Sequence, residues 1–313
     1  MFSVIEVPLS KGMLQYRTEN LTGIRCRISP DRLNRHLDNS LCVSSDSTAC
    51  PFCPGSVFSA TPTFPDGSRI VHGESVTFPN LYPFGKGHVV TVITSDHFPQ
   101  VFTSQQIADA LTGQIEALGK YDGYPSINWN YLPSSGASLV HPHLQGLSDP
   151  FPSCMADRYI RAGREYFRVH GKRYWDALRE TEQDSDRYLF GNEISWWSAN
   201  AVPVGEREIR GFFSFSSLSD MADHTGAIAD GILKILDLYR SLGTHAFNMS
   251  IFFDKGGCDN GFCAFCSLIS RINPNPSSTS DSAFMERLHF EPVILTLPED
   301  LGRYYRNELA PKR

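Results

Sequence analysis

Three polar side chains stand at alternate positions in the run His141-Pro142-His143-Leu144-Gln145. Alternate residues of a strand face one side, so this spacing gathers two imidazoles and a carboxamide on one surface. Pro142 has no N–H to give and suits an edge or irregular strand. A neutral imidazole can attack phosphorus and form a phosphoramidate, dividing one hard displacement into two easier ones. His143 is read as that nucleophile. A carboxamide such as Gln145 can donate to a phosphoryl oxygen as charge builds on it. Just upstream, Gly136-Ala137-Ser138 is a turn whose backbone N–H groups and Ser138 hydroxyl suit a phosphate. The plainer reading, polar residues on a strand, would do for one histidine. It explains His-x-His-x-Gln behind a Gly-Ala-Ser turn less well.

A second constellation has metal-ligand spacing. Cys50 and Cys53 form a C-x-x-C pair, which in a reducing compartment points to metal or redox chemistry more than to a structural disulfide. Four ligands complete a tetrahedral zinc site. His97, at the end of a strand, and His141 would supply the other two, tying the N-terminal loop to the sheet beside His143. The alternative is two free thiols near the surface. Cys263 and Cys266, with Cys258 nearby, have no matching His pair. Buried thiols on a strand and turn are the favoured reading there over a second metal site. Arg32 and Arg35, in Ser29-Pro30-Asp31-Arg32-Leu33-Asn34-Arg35, are ordinary solvated charges unless a phosphate lies beside them.

The elements that must position these residues show in the hydrophobic pattern. Residues 1 to about 50 are polar and mixed. Strands are expected at Ser75–Phe78, at the β-branched run His88–Ile93, and at Ser126–Tyr131. Between the last two, Ser104–Tyr121 keeps helical spacing through Ile107, Leu111, Ile115 and Leu118, with Ser104 as its N-cap. The first half therefore reads β–α–β, with the polar cluster on the final strand. Residues 150–185 look helical, Phe212–Leu218 extended, Asp220–Leu242 an amphipathic helix, and Phe247–Phe253 and Phe265–Ile272 strands. A polar loop at Asn273–Ser282 and a last helix at Pro298–Leu309 follow. The helix-then-two-strands order thus occurs twice, which hints at duplication.

Composition narrows the classes. Of 313 residues 41% are hydrophobic and 20% charged, enough apolar material for a folded core. A net charge of −6 argues against binding a nucleic acid polymer, which needs many phosphates neutralised. It leaves room for a small nucleotide. No apolar run approaches the roughly 20 residues that span a bilayer, and the N-terminus has no basic-then-apolar leader. A cytoplasmic protein without membrane contact is expected.

Taken together and in this order, the motifs resemble those of the galactose-1-phosphate uridylyltransferases, a branch of the histidine-triad superfamily. Ser29-Pro30-Asp31-Arg32-Leu33-Asn34-Arg35 is similar to a Ser-Pro-x-Arg-x-x-Arg turn whose arginines lie near substrate phosphate. Cys50-Pro51-Phe52-Cys53 resembles the family's zinc pair, and Ser95-Asp96-His97 the segment with the third ligand. Phe78-Pro79-Asn80 resembles a segment that meets the nucleoside. Asn130, six residues before Gly136, falls where the family has an active-site Asn. The stretch Gly136-Ala137-Ser138-Leu139-Val140-His141-Pro142-His143-Leu144-Gln145 resembles Gly-x-Ser-x-x-His-Pro-His-x-Gln.

The resemblance implies that His141 is the fourth zinc ligand, His143 the nucleophile, and Ser138 and Gln145 phosphate contacts. It implies that Arg32, Arg35, Asn80, Asn130, Gly136 and Ala137 bind substrate. It is good over about residues 20–150 and fades afterwards. Segments around Ala283–Glu286 and Glu291-Pro292 are only loosely similar to a sugar-contacting segment. The family's second metal, held by a His-x-His pair, has no counterpart in Phe262-Cys263-Ala264-Phe265-Cys266-Ser267.

The implied fold is α+β, two histidine-triad-like halves (1–150 catalytic, 151–313 without the His motif) with antiparallel sheets flanked by helices. One structural zinc per chain and a homodimer go with it. The implied reaction is ping-pong: a nucleoside diphosphate sugar nucleotidylates His143, and a phosphate-bearing acceptor takes the nucleotide. A sugar 1-phosphate acceptor would make the protein a uridylyltransferase of galactose metabolism. Inorganic phosphate would make it a phosphorylase of ADP-sugar or diadenosine polyphosphate, and water a hydrolase. A non-enzymatic alternative, an inactive zinc-stabilised nucleotide-binding module, is disfavoured because Ser138, His143 and Gln145 are all retained.

Overall fold

The structure, a computed structural model, describes residues 1–9, 12–34, 50–256, 261–272 and 282–311. Arg35, Cys258 and most of the loop expected at Asn273–Ser282 lie outside the described residues. The N-terminal segment read as polar and mixed holds three antiparallel strands, β1 (Phe2–Pro8), β2 (Met13–Glu19) and β3 (Arg25–Ile28). Nearly all of β1 is exposed. With neither face buried, nothing imposes the alternation by which strands are recognised.

After the short helix α1 (Val57–Ala60) come β4 (Ile70–His72), β5 (Ser75–Pro79) and β6 (Gly87–Val92). Helix α2 (Ser104–Leu118) follows, then β7 (Tyr124–Tyr131) and β8 (His143–Asp149). Thr103, not Ser104, caps α2: its side chain takes the Gln106 N–H while the Gln106 side chain takes its own, a reciprocal capping box. The helical region at 150–185 is two helices, α3 (Cys154–His170) and α4 (Tyr174–Glu182), separated where Gly171 turns left-handed at φ 68°. Then come β9 (Tyr188–Gly191), β10 (Ser195–Ala199), β11 (Ile209–Phe213), α5 (Thr225–Ser241), β12 (Phe247–Phe252) and β13 (Phe265–Ser270). Finally β14 (Val293–Ile294) adds in parallel to β3, and α6 (Pro298–Tyr304) closes the chain.

Strands β4 to β13 form one sheet in the order β4-β5-β6-β8-β7-β12-β13-β11-β10-β9. Each half is three strands, a helix and two strands, a larger repeat than the one read from the sequence. The halves meet where β7 pairs antiparallel with β12, and there Asn128 stands opposite Ser250. The Ser250 hydroxyl donates to Asn128 Oδ1 at 2.9 Å. Registers make the correspondence residue by residue. Val76, Val92 and His143 align across the first half as Trp196, Phe212 and Phe265 do across the second.

Helices α2 and α5 cover one face of this sheet. Leu111 and Ile232 lie in a core with Trp129, Leu144, Trp197 and Leu268. On the other face the second half is buried under α3, α4 and the small sheet, with Tyr159, Trp175 and Ile28 against Trp196, Phe212 and Phe265. The same face of the first half carries only a small cluster of Val57, Val76, Phe78, Val90 and Val92. That is the face on which His143 and Gln145 stand.

The helix layer is tight. Trp197 is fully buried, and a Cβ added at Gly231 on α5 would stand 2.6 Å from its ring. Gly231→Ala should therefore lower unfolding stability by about 1–3 kcal/mol, outweighing the up to about 1 kcal/mol that Ala gains over Gly in a helix. Chemical denaturation measures it. Unchanged stability would mean that α5 is free to lift off Trp197.

Candidate active site

Four side chains from three separate segments converge beside the start of β8. Cys50 and Cys53 come from the turn before α1, His97 from the loop after β6, and His141 from just ahead of β8. Their ligand atoms all lie within 4.8 Å of one another. Cys50 Sγ is 3.6 Å and Cys53 Sγ 3.7 Å from His141 Nδ1, and Cys53 Sγ is 3.4 Å from His97 Nδ1. His141 Nε2 lies 2.8 Å from the Thr94 carbonyl. A carbonyl only accepts, so Nε2 carries the proton and Nδ1 turns its lone pair toward the thiols, as ligating histidines do. Burial and the neighbouring Cys50 thiol push the Cys53 thiol above its ordinary value. Two thiols and two imidazole lone pairs aimed at one point suit a cation. These four residues could hold a metal ion, through Cys Sγ and His Nδ1.

His141 and Pro142 precede β8 and do not belong to it, since the strand begins at His143. This break lets the two histidine rings take different directions. His143 is buried, and its Nδ1 lies 2.8 Å from the His141 carbonyl. Nδ1 therefore bears the proton, and Nε2 is an unprotonated lone pair with no protein partner among the described residues. Burial holds the His143 pKa below its usual value, with the His141 carbonyl opposing, so the imidazole is neutral at pH 7. The Phe52 ring lies 5.2 Å from it, nearly edge-on. Phe52 is the residue between Pro51 and Cys53, so the cysteine turn also packs the histidine ring.

Beside His143 on the same face stands Gln145, opposite Asn128 on β7 and Val90 on β6. Its Oε1 lies 3.1 Å from His88 Nε2. His88 is buried at the start of β6 and accepts the Phe84 N–H at Nδ1, 3.3 Å. Asn80 Nδ2 is 3.0 Å from the same Nε2, and Asn80 Oδ1 accepts the Tyr82 N–H. Asn130 Oδ1 accepts from Asn248 Nδ2 at 2.6 Å. That amide also donates to the Ser135 carbonyl at 2.8 Å, and Asn248 Oδ1 accepts from Arg271. The turn that follows is left-handed at Gly136, φ 89°, and brings Ser138 to the surface. A residue with a Cβ would be strained at that φ.

Of the residues singled out from the sequence, His143, Gln145, Asn80 and Asn130 lie on or beside one face, flanked by Gly136, Ala137 and Ser138. Cys50, Cys53, His97 and His141 form one cluster. Arg32 is exposed on the turn after β3 and lines a cavity of about 450 Å³ with Glu206, Arg271 and Met285, apart from His143. Cys263 and Cys266 are buried, and burial pushes the Cys266 thiol well up. His88, Phe52 and Asn248 went unnoticed in the sequence. A histidine opening an otherwise apolar strand was the one signal for His88. Nothing in the sequence pointed to Asn248, because its contact depends on β7 pairing with β12.

This geometry can be set beside known proteins. No family model matches the chain. Its fold is that of solved nucleotidyl-transfer and phosphorylase enzymes. An ADP-glucose phosphorylase from Arabidopsis thaliana, solved with ADP-glucose bound, superposes with a TM-score of 0.74 over 95% of this chain and 100% of its own, at 16% identity. A structure of uridylyltransferase superposes at 0.70 over 94% and 99%, at 17% identity. In sequence the chain is 30% identical over 282 residues to an uncharacterized protein of Archaeoglobus fulgidus, covering 84% of this chain and 82% of that protein, and the two belong to one family.

Elemental analysis of the purified protein should find about one metal ion per chain. The double variant Cys50→Ser with Cys53→Ser should lose it and melt several degrees lower. Full metal content in that variant would remove these four residues as its ligands.

Proposed function

We propose that the chain is a nucleotidyltransferase working through a covalent nucleotidyl-His143 intermediate. The observation that carries this is the state of His143. It is neutral, held by Nδ1–H on the His141 carbonyl, with Nε2 unprotonated and without a protein partner beside Gln145. His143 Nε2 attacks the α-phosphorus of a nucleoside diphosphate sugar. The N–P bond forms as the P–O bond to the sugar 1-phosphate breaks, and the sugar 1-phosphate leaves. A phosphate oxygen of the acceptor then attacks the same phosphorus and the N–P bond breaks. The Gln145 carboxamide and the Gly136–Ser138 turn take the phosphoryl oxygens, and Asn80 the nucleoside.

Zinc suits the metal cluster. With Zn–S about 2.3 Å and Zn–N about 2.0–2.1 Å, a tetrahedral S···N edge is about 3.6 Å, and three of the four sulfur–nitrogen separations are 3.4, 3.6 and 3.7 Å, with all ligand atoms within 4.8 Å of one another. Two thiolates and two imidazoles are also a soft donor set. Held by Cys50, Cys53, His97 and His141, such an ion would be structural, tying the Cys50–Cys53 turn to His141 and so to the carbonyl partner of His143.

The solved relatives support two acceptors. A uridylyltransferase passes the nucleotide to a sugar 1-phosphate, which we take as the leading reaction, and a phosphorylase to inorganic phosphate. Radiolabelled UDP-glucose or ADP-glucose should leave acid-labile label on the protein, and His143→Ala should abolish it. Label on that variant would overturn the assignment. Chasing the label with galactose 1-phosphate or with phosphate then decides the acceptor.

The labelling rate should also stay level from pH 8 down to about 6.5. It should fall only below that, because protonation removes the lone pair and burial places protonation below the usual imidazole value. A rate already halved at pH 7 would contradict a neutral His143.

A further inference from the structure

We propose that His88 is a positioning residue for the transfer step: its Nε2–H holds Gln145 Oε1, which turns the Gln145 NH2 group toward the phosphoryl group at His143. The proposal rests on the nucleotidyl-transfer reading above.

The first argument is proton accounting. The Phe84 backbone N–H points at His88 Nδ1. A backbone proton cannot be moved, so the neutral ring carries its proton on Nε2. The acceptor within reach is Gln145 Oε1 at 3.1 Å. Asn80 Nδ2, also close, is itself a donor, because its Oδ1 is fixed by the Tyr82 N–H. That approach is donor to donor and adds no hydrogen bond. With Oε1 engaged, the NH2 group of Gln145 points away from His88 and has no protein partner among the described residues. Both amide protons are left for a ligand.

The second argument is the molecule's own control. The same hub is built in the second half, with Glu208 in place of His88. Asn80 N donates to the His88 carbonyl and Asn200 N to the Glu208 carbonyl, both at 2.9 Å. Val204 N and Asn200 Nδ2 each donate to Glu208 Oε2 at 2.7 Å, as Phe84 N and Asn80 Nδ2 face His88. Ser267, aligned with Gln145, donates to Glu208 Oε1 at 2.7 Å. The loop is thus closed by an imidazole in one half and by a carboxylate in the other, the carboxylate with Arg210 Nε at 2.7 Å where the first half has Val90. The difference is polarity. A carboxylate only accepts, whereas an imidazole must also donate. The donor occurs in the half where a carboxamide stands beside His143. The acceptor occurs where Phe265 fills the nucleophile's place.

The test follows from that pair. His88→Glu keeps a loop-closing group, as the second half does, but presents an acceptor to Gln145 Oε1. With a labelled nucleotide sugar, its rate of His143 labelling should fall about 10²–10³-fold, the loss typical of one misplaced oxyanion donor. Gln145→Ala should lose a similar factor. His88→Glu made in the Gln145→Ala background should lose less than about threefold more, since coupled residues are not additive. His88→Glu should melt lower than wild type, because Val90 stands where Arg210 pairs Glu208, so labelling of all variants is compared at a temperature at which each is folded. Wild-type labelling by His88→Glu, or losses that multiply in the double variant, would overturn the proposal.

A second measurement needs no turnover. Long-range 15N–1H correlation on the wild-type protein at neutral pH should show His88 as the Nε2–H tautomer. The Nδ1–H form would overturn the proposal even if the enzyme works. Absence of label on wild-type protein would instead fault the nucleotidyl-transfer reading, leaving the tautomer to judge His88.

Discussion

His141 fixes most of what the site can do, because three of its polar atoms are engaged at once. Its Nδ1 faces the two thiols, its Nε2–H holds the Thr94 carbonyl, and its own carbonyl takes the His143 proton. No single strand conformation allows this. If His141 continued β8 regularly, its ring would share a face with that of His143, and one metal or one phosphate would have to meet both. Leaving the strand at Pro142, which has no N–H to place in a ladder, separates the rings. The candidate metal ligand His141 and the proposed nucleophile His143 can then be two residues apart and still be differently directed. The ordering of the cysteine turn, the tautomer of His143 and the placement of Phe52 against its ring all descend from that break.

Duplication explains why the remaining constraints look uneven. Both halves keep the same strands, the same covering helix and the same closed loop from β5 to β6 or from β10 to β11. In the second half the face equivalent to that of His143 is buried under α3, α4 and the N-terminal sheet, so Phe212 and Phe265 stand there. Buried polar groups on that face are retained only where fully paired, as Glu208 is with Arg210, Ser267 and Asn200. In the first half the same face carries the polar residues Asn128, Asn130 and Gln145, half-buried, beside the buried His143.

Much of this is legible in the sequence. The strands β7 and β12 and the helices α2 and α5 carry one buried face each, so their periodicity is plain, and β6, buried throughout, shows as a β-branched run. The site motifs are local in sequence, and local spacing survives reading. Three kinds of feature did not show. β1 lacks a buried face and so lacks a pattern, and the buried positions of β2 are the charged Arg17 and Glu19, which no hydrophobic alternation marks. The break between α3 and α4 depends on the left-handed conformation of Gly171, whereas many helices tolerate a glycine. His88 and Asn248 matter through partners on other strands, and pairings such as Asn130 with Asn248 exist only once the ten strands are in order.

The seam between the halves has a further consequence. β7 and β12 lie at the centre of the ten-stranded sheet, each the inner boundary of its own half. Pulling the halves apart would bare two long rows of unpaired backbone N–H and C=O groups, the kind of edge that invites aggregation. It would also open the shared layer beneath α2 and α5. Neither half is therefore a self-sufficient folding unit. The half that carries His143 cannot be trimmed free of the other, which supplies through Asn248 a backbone anchor for a turn that it does not itself contain.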